Sequence, residues 1–453
     1  MEASMDQDVF HPEGRSGQSV HRGRYSWLSS LAIVVAISAL ALGLRLAAVQ
    51  FIGPDPDITT YSESGVIAKN LVDGRGYTFD FYGLRPNQPL RSFIPPLYVG
   101  LVYACLRWTA RPAMALALTQ AVLSSLACAA VYMIALAVSR KRTAAVLAAL
   151  ATACYPVLIV EVNVPQSLIL HAAILLWAVA VSLLLPGRPR WGWAVLAGVL
   201  WGLLALGRPA LLGFMPFLVL WLWLNRADWR SWLKTSALLA TAVILVVLPW
   251  TIRNYQIQGQ VVMIATNGGF NFWNGNNPFT TGSGHIVYSE QVDQFLGRPH
   301  DPTQPAIIQI YPYPLPADIL TGVATVSELT LDRQLYRAGL DFIRQHPRDW
   351  ITLLGQKLVS FWWFRPGVGS AYEASWTPYY KLMYALLLVV FAAGLAISSK
   401  HRRRYSLLYL LFAYYTATNV AFHVLTRFRW EIEPLFLVFA AVCVSVAAET
   451  SHR

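Results

Sequence analysis

Apolar runs of about 12 to 25 residues recur from Leu28 to Val446, separated by short connectors that carry most of the positive charge. The chain is 56% hydrophobic and only 13% charged, with a mean hydropathy of +0.46. Such runs cannot all be buried in a soluble core, and in lipid each must satisfy its own backbone polar groups, which means a helix. The expectation is therefore an all-α polytopic membrane protein. Seventeen Trp and 21 Tyr suit the two interfacial belts of such a protein and do not by themselves indicate a ligand.

A net charge of +12 raises the question of nucleic acid, which the distribution of charge answers. Basic residues collect at Arg22 and Arg24, Arg140-Lys141-Arg142, Arg188 and Arg190, Arg226 with Arg230 and Lys234, and Lys400 with Arg402-Arg403-Arg404. Clusters beside apolar spans set orientation by the positive-inside rule, and no nucleic-acid motif accompanies them. The four cysteines, Cys105, Cys128, Cys154 and Cys443, stand singly inside apolar runs and read as small buried hydrophobes.

The spans follow in order. Residues 1–26 read as a disordered cytoplasmic tail, and the first span runs from Leu28 to Ile52. Arg45 inside it either snorkels to the surface or faces a polar cavity. The remaining spans are expected at Met114–Val138, Ala144–Val160, Leu168–Leu185, Trp193–Leu206, Leu211–Leu224, a seventh ending at Pro249-Trp250, Leu382–Ile397, Leu407–Val424 and Leu435–Val446. That gives about ten crossings with both termini cytoplasmic. Phe93–Trp108 and Ile351–Phe364 are too short or too interrupted to cross and read as interfacial helices. Treating Phe93–Trp108 in this way places every basic connector on the cytoplasmic side.

Two polar stretches remain outside the spans. Residues 53–112, within the unit 27–250, form a first outer loop that opens with Gly53-Pro54-Asp55-Pro56-Asp57 and must lie in water or line a protein-walled cavity. Residues 251–380 form an extracytoplasmic cap, rich in turns at Asn267-Gly268-Gly269, Asn274-Gly275-Asn276-Asn277-Pro278 and Gly282-Ser283-Gly284, and more helical after Pro316. Residues 381–453 hold the last three spans. No internal repeat is evident, which counts against an inverted-repeat transporter.

On this topology the polar groups converge on the outer face. Asp55 and Asp57 follow the first span, Glu161 and Gln166 flank the turn after the third, Arg208 tips a tight hairpin, and Arg253 follows the seventh. Arg427, Arg429, Glu431 and Glu433 fill the last outer turn. A carboxylate there can take a proton from a hydroxyl, and guanidinium forks suit phosphate because they bind two oxygens and stay charged. The combination fits attack on a sugar whose leaving group is a lipid-linked phosphate; ordinary solvated loop charges are the alternative. His171 and His423, near outer span ends, read first as interfacial side chains. There is no P-loop, zincin or nucleophile-elbow motif.

The order of features resembles the GT-C membrane glycosyltransferases, in the branch of protein O-mannosyltransferases and bacterial aminoarabinose transferases (glycosyltransferase family 39). The matching pieces are Asp57-x-x-x-Tyr61 with Ala68 and Gly74-x-Gly76, Pro95-Pro96-Leu97-Tyr98, Tyr155-Pro156 and Leu206-Gly207-Arg208-Pro209. Further on come Pro249-Trp250-Thr251-Ile252-Arg253-Asn254-Tyr255, Asn274-Gly275-Asn276-Asn277-Pro278, and Arg427-Phe428-Arg429 before Glu433-Pro434.

The resemblance implies inverting transfer of a sugar from a polyprenyl-phosphate donor to an acceptor outside the bacterial cytoplasmic membrane. By it Asp57 is the catalytic base, with Asp55 its neighbour. From the residues and their placement on the outer face, Glu161 is expected to orient the acceptor or a metal, Arg253, Arg427 and Arg429, with Arg91 or Lys357, to hold the donor phosphate, and Tyr61, Tyr98, Gln166, Arg208 and Asn274 to line the substrate pocket. Where relatives carry Asp-Glu this chain has Asp57-Ile58, and Gln166 stands where many carry an acid, so Glu161 is the candidate replacement. No cofactor is fixed; a divalent cation at that turn is the one candidate. The acceptor (protein, lipid or glycan) is not named by the sequence, and a lipid-linked-sugar flippase or a non-catalytic envelope assembly protein are the rival functions.

Overall fold

A computed structural model of the chain describes residues 16–186, 191–225, 228–282, 286–287, 307–308, 314–364 and 377–451. Helices dominate the described residues. The first half contains α1 (Ser16–Phe51), α2 (Glu63–Val72), α3 (Pro96–Trp108), α4 (Pro112–Ser139), α5 (Arg142–Ala153), α6 (Pro156–Val160), α7 (Leu168–Ser182), α8 (Trp191–Ala205), α9 (Met215–Asn225) and α10 (Trp229–Gln258). The second half contains α11 (Gly268–Gly275), α12 (Ala317–Gly322), α13 (Glu328–Gln345), α14 (Pro347–Trp362), α15 (Thr377–Ser398), α16 (Arg402–Ala421), α17 (Thr426–Trp430) and α18 (Glu433–Ser451). Two-residue strands, β1 (Ile286–Val287) and β2 (Ile307–Ile308), pair antiparallel with Ile286 opposite Ile308.

The apolar helices pack side by side. α4 lies against α1, α5 and α7, α8 joins α7 to α10, and α18 packs on α15 and α5. Small residues set the closest approaches: a Cβ on Gly198 would lie 2.4 Å from Leu239 O, and one on Gly394 2.0 Å from Phe439 O. Backbone-to-backbone packing of that kind is how helices associate where no hydrophobic drive separates them from lipid.

Among the described residues four helical runs are long and apolar enough to cross a membrane: Leu28–Phe51, Pro112–Ser139, Trp229–Gln258 and Pro378–Ala421. The last folds back on itself. Phe391 and Phe412 sit with ring centroids 5.7 Å apart, whereas 21 residues of straight helix would separate them by about 31 Å. The reversal falls at the 3₁₀ segment Ser399–His401. Shorter apolar helices, Leu168–Ser182, Trp191–Ala205 and Pro209–Asn225, and the bent pair Arg142–Ala153 and Pro156–Asn163 accompany these runs.

Several expectations change in detail. The first helix begins at Ser16, inside the stretch expected to be a tail, while residues 1–15 lie outside the described residues. Ala144–Val160 is not one straight helix: it bends by 50° between α5 and α6, because Pro156 has no N–H and disfavours helical geometry at Tyr155. Arg45 neither snorkels nor opens to a cavity. Fully buried, it caps the broken end of α5, with Nη1 3.0 Å from Ala153 O, Nη2 3.4 Å from Thr152 O and Nε 2.7 Å from Ser124 Oγ.

The seventh span does not stop at Pro249. α10 continues two turns beyond it, to a left-handed Gly259 at φ +67°, so Arg253 projects from a helix. The turn-rich stretch after Asn267 is a helix, α11. Its first turn is held by Asp332, which accepts from Gly269 N at 2.6 Å, and Phe270 and Trp273 are buried beneath the cap. Ser283 and Gly284 lie outside the described residues.

The bundle has two chemically distinct ends. At one, Asp55 N donates to Asn163 O at 3.0 Å and Leu97 N to Leu206 O at 3.1 Å, so the first outer loop and α3 rest on the turns after α6 and α8. At the other, Lys141 Nζ meets Glu449 at 2.6 Å and Arg403 Nη2 donates to Leu224 O at 3.0 Å. The described basic connectors gather at that second end.

Candidate active site

Asp57 sits at the surface in a turn built by its own neighbours. Its Oδ1 accepts from Thr60 N at 2.9 Å and from Thr59 N and Thr59 Oγ1 at 3.3 Å each, while Oδ2 accepts from Thr60 Oγ1. Donors that favour the charged form lower an acid's pKa. Thr60 first, then Thr59, hold this carboxyl below its ordinary value. The Asp57 N–H donates in turn to Asp55 Oδ1 at 2.9 Å, so the two acids share one tight turn.

Behind that turn lies a buried relay. Glu161 opens the 3₁₀ helix Glu161–Asn163 and is fully buried; its Oε2 accepts from Gln166 Nε2, whose Oε1 accepts from Arg427 Nη1 at 3.2 Å. Arg427 itself is exposed. Tyr61 faces the same group. Its hydroxyl is pushed up by burial and by Glu161, with Arg427 opposing and Asp55 adding. Tyr98, whose hydroxyl has no hydrogen-bond partner among the described residues, is raised by burial and by Cys105, Tyr61 and Glu161. Asp55, Tyr61, Tyr98, Glu161, Gln166 and Arg427 therefore form one constellation.

The other expected cations divide into three environments. Arg208 and Arg429 are already paired: Arg208 Nε lies 2.9 Å from Glu431 Oε1, and Arg429 Nε 2.7 Å from Glu433 Oε1. Burial alone would raise the Glu431 carboxyl, but Arg208, then His171 and Tyr415, outweigh it and hold it low. His171 Nδ1 stands 3.6 Å away, beyond hydrogen-bond length. Arg429 also stacks 3.7 Å over the Tyr384 ring and donates to Phe361 O at 2.9 Å, while Tyr155 and Tyr380 donate to Glu433. These two guanidiniums hold the end of the bundle together.

Lys357 occupies the second environment. It is fully buried, its Nζ donates to Asn276 Oδ1 at 3.0 Å, and burial brings its pKa down to about 7. His423 shares its electrostatic surroundings, and Asn274 is buried with its Oδ1 unpartnered among the described residues.

Arg253 and Arg91 make the third environment. Arg253 lies 4.9 Å from the Tyr77 ring and 4.5 Å from the Trp250 ring, and its Nη1 donates to Arg91 O at 2.6 Å. The Arg91 side chain lines an open cleft with Thr59, Thr60, Lys69, Arg75 and Asp80. Glu328 locks this corner by accepting from Arg91 N at 2.8 Å, Ser92 N at 3.0 Å and Gln258 Nε2 at 2.8 Å.

Sequence reasoning missed Thr60 and Glu328. An acid followed by two threonines is a local signal for the first; nothing local marks the second, whose partners lie far away in the chain. As for a metal, no group of three His, Cys, Asp or Glu side chains could hold one among the described residues. Glu161 and Asp55 both act electrostatically on Tyr61.

No family model and no curated protein matches the chain. Solved structures do. The oligosaccharyltransferase AglB from Archaeoglobus fulgidus, in complex with an inhibitory peptide and a dolichol-phosphate, aligns at a TM-score of 0.53 and 16% identity over 94% of this chain and 51% of its own. The same archaeal enzyme in complex with Zn and sulfate gives 0.54 and 15% over 93% and 49%. ArnT from Cupriavidus metallidurans, bound to undecaprenyl phosphate, aligns over 94% of this chain and 78% of its own at 16% identity, with a TM-score of 0.40. The chain thus spans about half the length of the oligosaccharyltransferase structures it matches. Its fold is that of the GT-C membrane glycosyltransferases.

Proposed function

We propose that the chain is an inverting glycosyltransferase that moves a sugar from a polyprenyl-phosphate donor to an acceptor outside the cytoplasmic membrane. The observation that carries this reading is the docking of the Asp55–Asp57 turn, through Asp55 N and Asn163 O, onto the Glu161–Gln166–Arg427 relay in a GT-C fold. It brings acids and a solvent-facing cation to one end of a membrane bundle. The active end would face the periplasm, with the basic connectors and both termini in the cytoplasm.

In the proposed reaction the acceptor O–H gives its proton to Asp57 as its oxygen attacks the anomeric carbon. The bond from that carbon to the phosphate oxygen breaks, and the polyprenyl phosphate leaves with the electron pair. Arg427 of this constellation, and Lys357 from the separate environment it shares with Asn276, have no carboxylate ion pair among the described residues and neutralise the charge that develops on the leaving group. Arg253 and Arg91 would act further out, beside the cleft over Thr59 and Thr60, and Arg208 and Arg429 by shaping the pocket. Glu161 orients the acceptor through Gln166 and Tyr61.

One observation favours a second assignment for the base. The charge felt at Tyr61, together with Glu161 and Arg427, is that of Asp55, whereas Asp57 is turned into its own threonines. Purified protein supplied with an undecaprenyl-phosphate sugar and membrane acceptors tests both. Release of undecaprenyl phosphate that disappears in Asp57→Asn and survives in Asp55→Asn supports the first assignment; the reverse pattern supports the second. Translocation of intact donor without its cleavage would favour a flippase, and binding without either a scaffold.

A further inference from the structure

At the end of the bundle opposite Asp57, the turn between α15 and α16 and the end of α9 border an open, shallow concavity of about 350 Å³ lined by Asn225, Lys400, His401, Arg402, Arg403 and Arg404. Arg403 is fixed in its wall by the 3.0 Å bond from Nη2 to Leu224 O. The described carboxylates at this end are committed elsewhere. Glu449 pairs with Lys141 at 2.6 Å, and Asp228 caps α10 by accepting from Arg230 N at 3.2 Å and Ser231 N at 2.9 Å. Among the described residues none of Lys400, Arg402, Arg403 and Arg404 has an acidic partner within ion-pair distance.

Orientation of a membrane protein needs basic residues in a connector, not a hollow. Arg140-Lys141-Arg142 serves that purpose at the same end, and there Lys141 is neutralised by Glu449. The second cluster instead surrounds a space and keeps its charge, and the surface next to it is apolar. Leu224 is 59% exposed, Trp223 56% and Trp229 62%. A soluble phosphate would use only the cations; an amphiphile with a phosphate head would use both surfaces.

We propose that this concavity binds the phosphate of an anionic phospholipid, with the acyl chains lying along Leu224 and Trp223. The inference rests on the membrane fold alone and stands or falls independently of the reaction at the other end. Purified protein is titrated with phosphatidylglycerol or phosphatidylcholine, with bound lipid counted by native mass spectrometry and stability followed by thermal unfolding. Phosphatidylglycerol is expected to bind preferentially. The triple variant Arg402→Gln, Arg403→Gln and Arg404→Gln loses about tenfold or more in apparent affinity, whereas Arg140→Gln, Lys141→Gln and Arg142→Gln, which removes equal charge, changes it by about twofold or less.

Equal losses in the two triples would reduce the effect to a general surface potential and overturn the site. Equal binding of phosphatidylcholine would do the same. Glycerol phosphate at millimolar concentration is the arm for a soluble anion: if it displaces the lipid completely, the site takes free phosphates and the lipid assignment is wrong. Should the first triple fail to fold, Lys400→Gln carries the same comparison, expected to lose about threefold; no loss overturns the proposal.

Discussion

Arg45 on α1 donates from Nη1 to the carbonyl oxygen of Ala153 on α5 at 3.0 Å, closing a helix end that Pro156 leaves open in the middle of the bundle. The Tyr155-Pro156 step frees carbonyls that no intrahelical N–H can reach, and a guanidinium at a helix C-terminus meets both their hydrogen-bonding need and the negative end of the dipole. Because Glu161 follows α6 directly, the angle set here helps fix where that carboxylate points. Arg45→Met leaves the buried Ala153 oxygen without its side-chain donor and is expected to destabilise the protein by about 3 kcal/mol. Thermal unfolding in detergent measures it, and a variant as stable as the parent would remove Arg45 from this structural role.

Thr60 tunes the acid beside it. Asp57 is held low chiefly by the hydroxyl and backbone N–H of Thr60. A base must be ionised to act, so turnover falls as pH drops through its folded pKa. In the parent chain that acid limb is expected below the ordinary aspartate value of about 3.9. Thr60→Val removes the hydroxyl donor, so the limb moves to higher pH while the plateau stays within about threefold. Its position is read from the pH profile of undecaprenyl phosphate release. An acid limb that does not move in a folded, active Thr60→Val would uncouple Asp57 from the chemistry.

The fold class and the convergence of polar residues at one end were legible because both depend on local signals: apolar length, basic connectors and turn residues. Pro249 misled because a proline inside a helix removes a backbone hydrogen bond and usually breaks it, yet α10 runs on through it, and Trp250, whose Nε1 donates to Ile264 O at 2.8 Å, anchors the continuation. Asn267-Gly268-Gly269 misled because the Asp332 carboxylate, 63 residues away, stabilises the helix those residues begin. The separation of Arg427 from Arg429 was invisible for a related reason. Two residues apart on a short helix, they face different surroundings, one towards Gln166 and the other into a shell of Glu433, Tyr384 and Phe364.

Burial of Lys357 links stability to pH. Its pKa is lowered from the free value of 10.5 to about 7 in the folded chain. Between those values the unfolded chain binds a proton that the folded one does not, so stability rises with pH across that window and is flat below about 7. Lys357→Met abolishes the rise and stabilises the protein at pH 7, since an apolar side chain replaces a buried amine. Unfolding temperatures from pH 6.5 to 9 check both statements. If Lys357 also meets the donor phosphate, as proposed, donor affinity runs the other way: it is strongest below pH 7, where the amine carries its proton, and Lys357→Met weakens it at every pH.

Arg429 and Glu433 are both fully buried, four residues apart across the turn between α17 and α18, with Nε 2.7 Å from Oε1. A buried pair of this kind contributes little against an apolar substitute of the same shape, yet losing one member strands the other. Glu433→Gln is therefore expected to cost about 3–5 kcal/mol, because Arg429 would keep its charge among Tyr384, Phe364 and the carbonyl of Phe361. The double variant Arg429→Met with Glu433→Leu is expected to recover most of that loss, since neither charge remains to be solvated. Donor turnover separates structure from chemistry. With Arg429 acting only through the shape of the pocket, the double variant retains turnover within about tenfold; loss of turnover in a protein restored to full stability would instead put Arg429 in contact with the reacting phosphate.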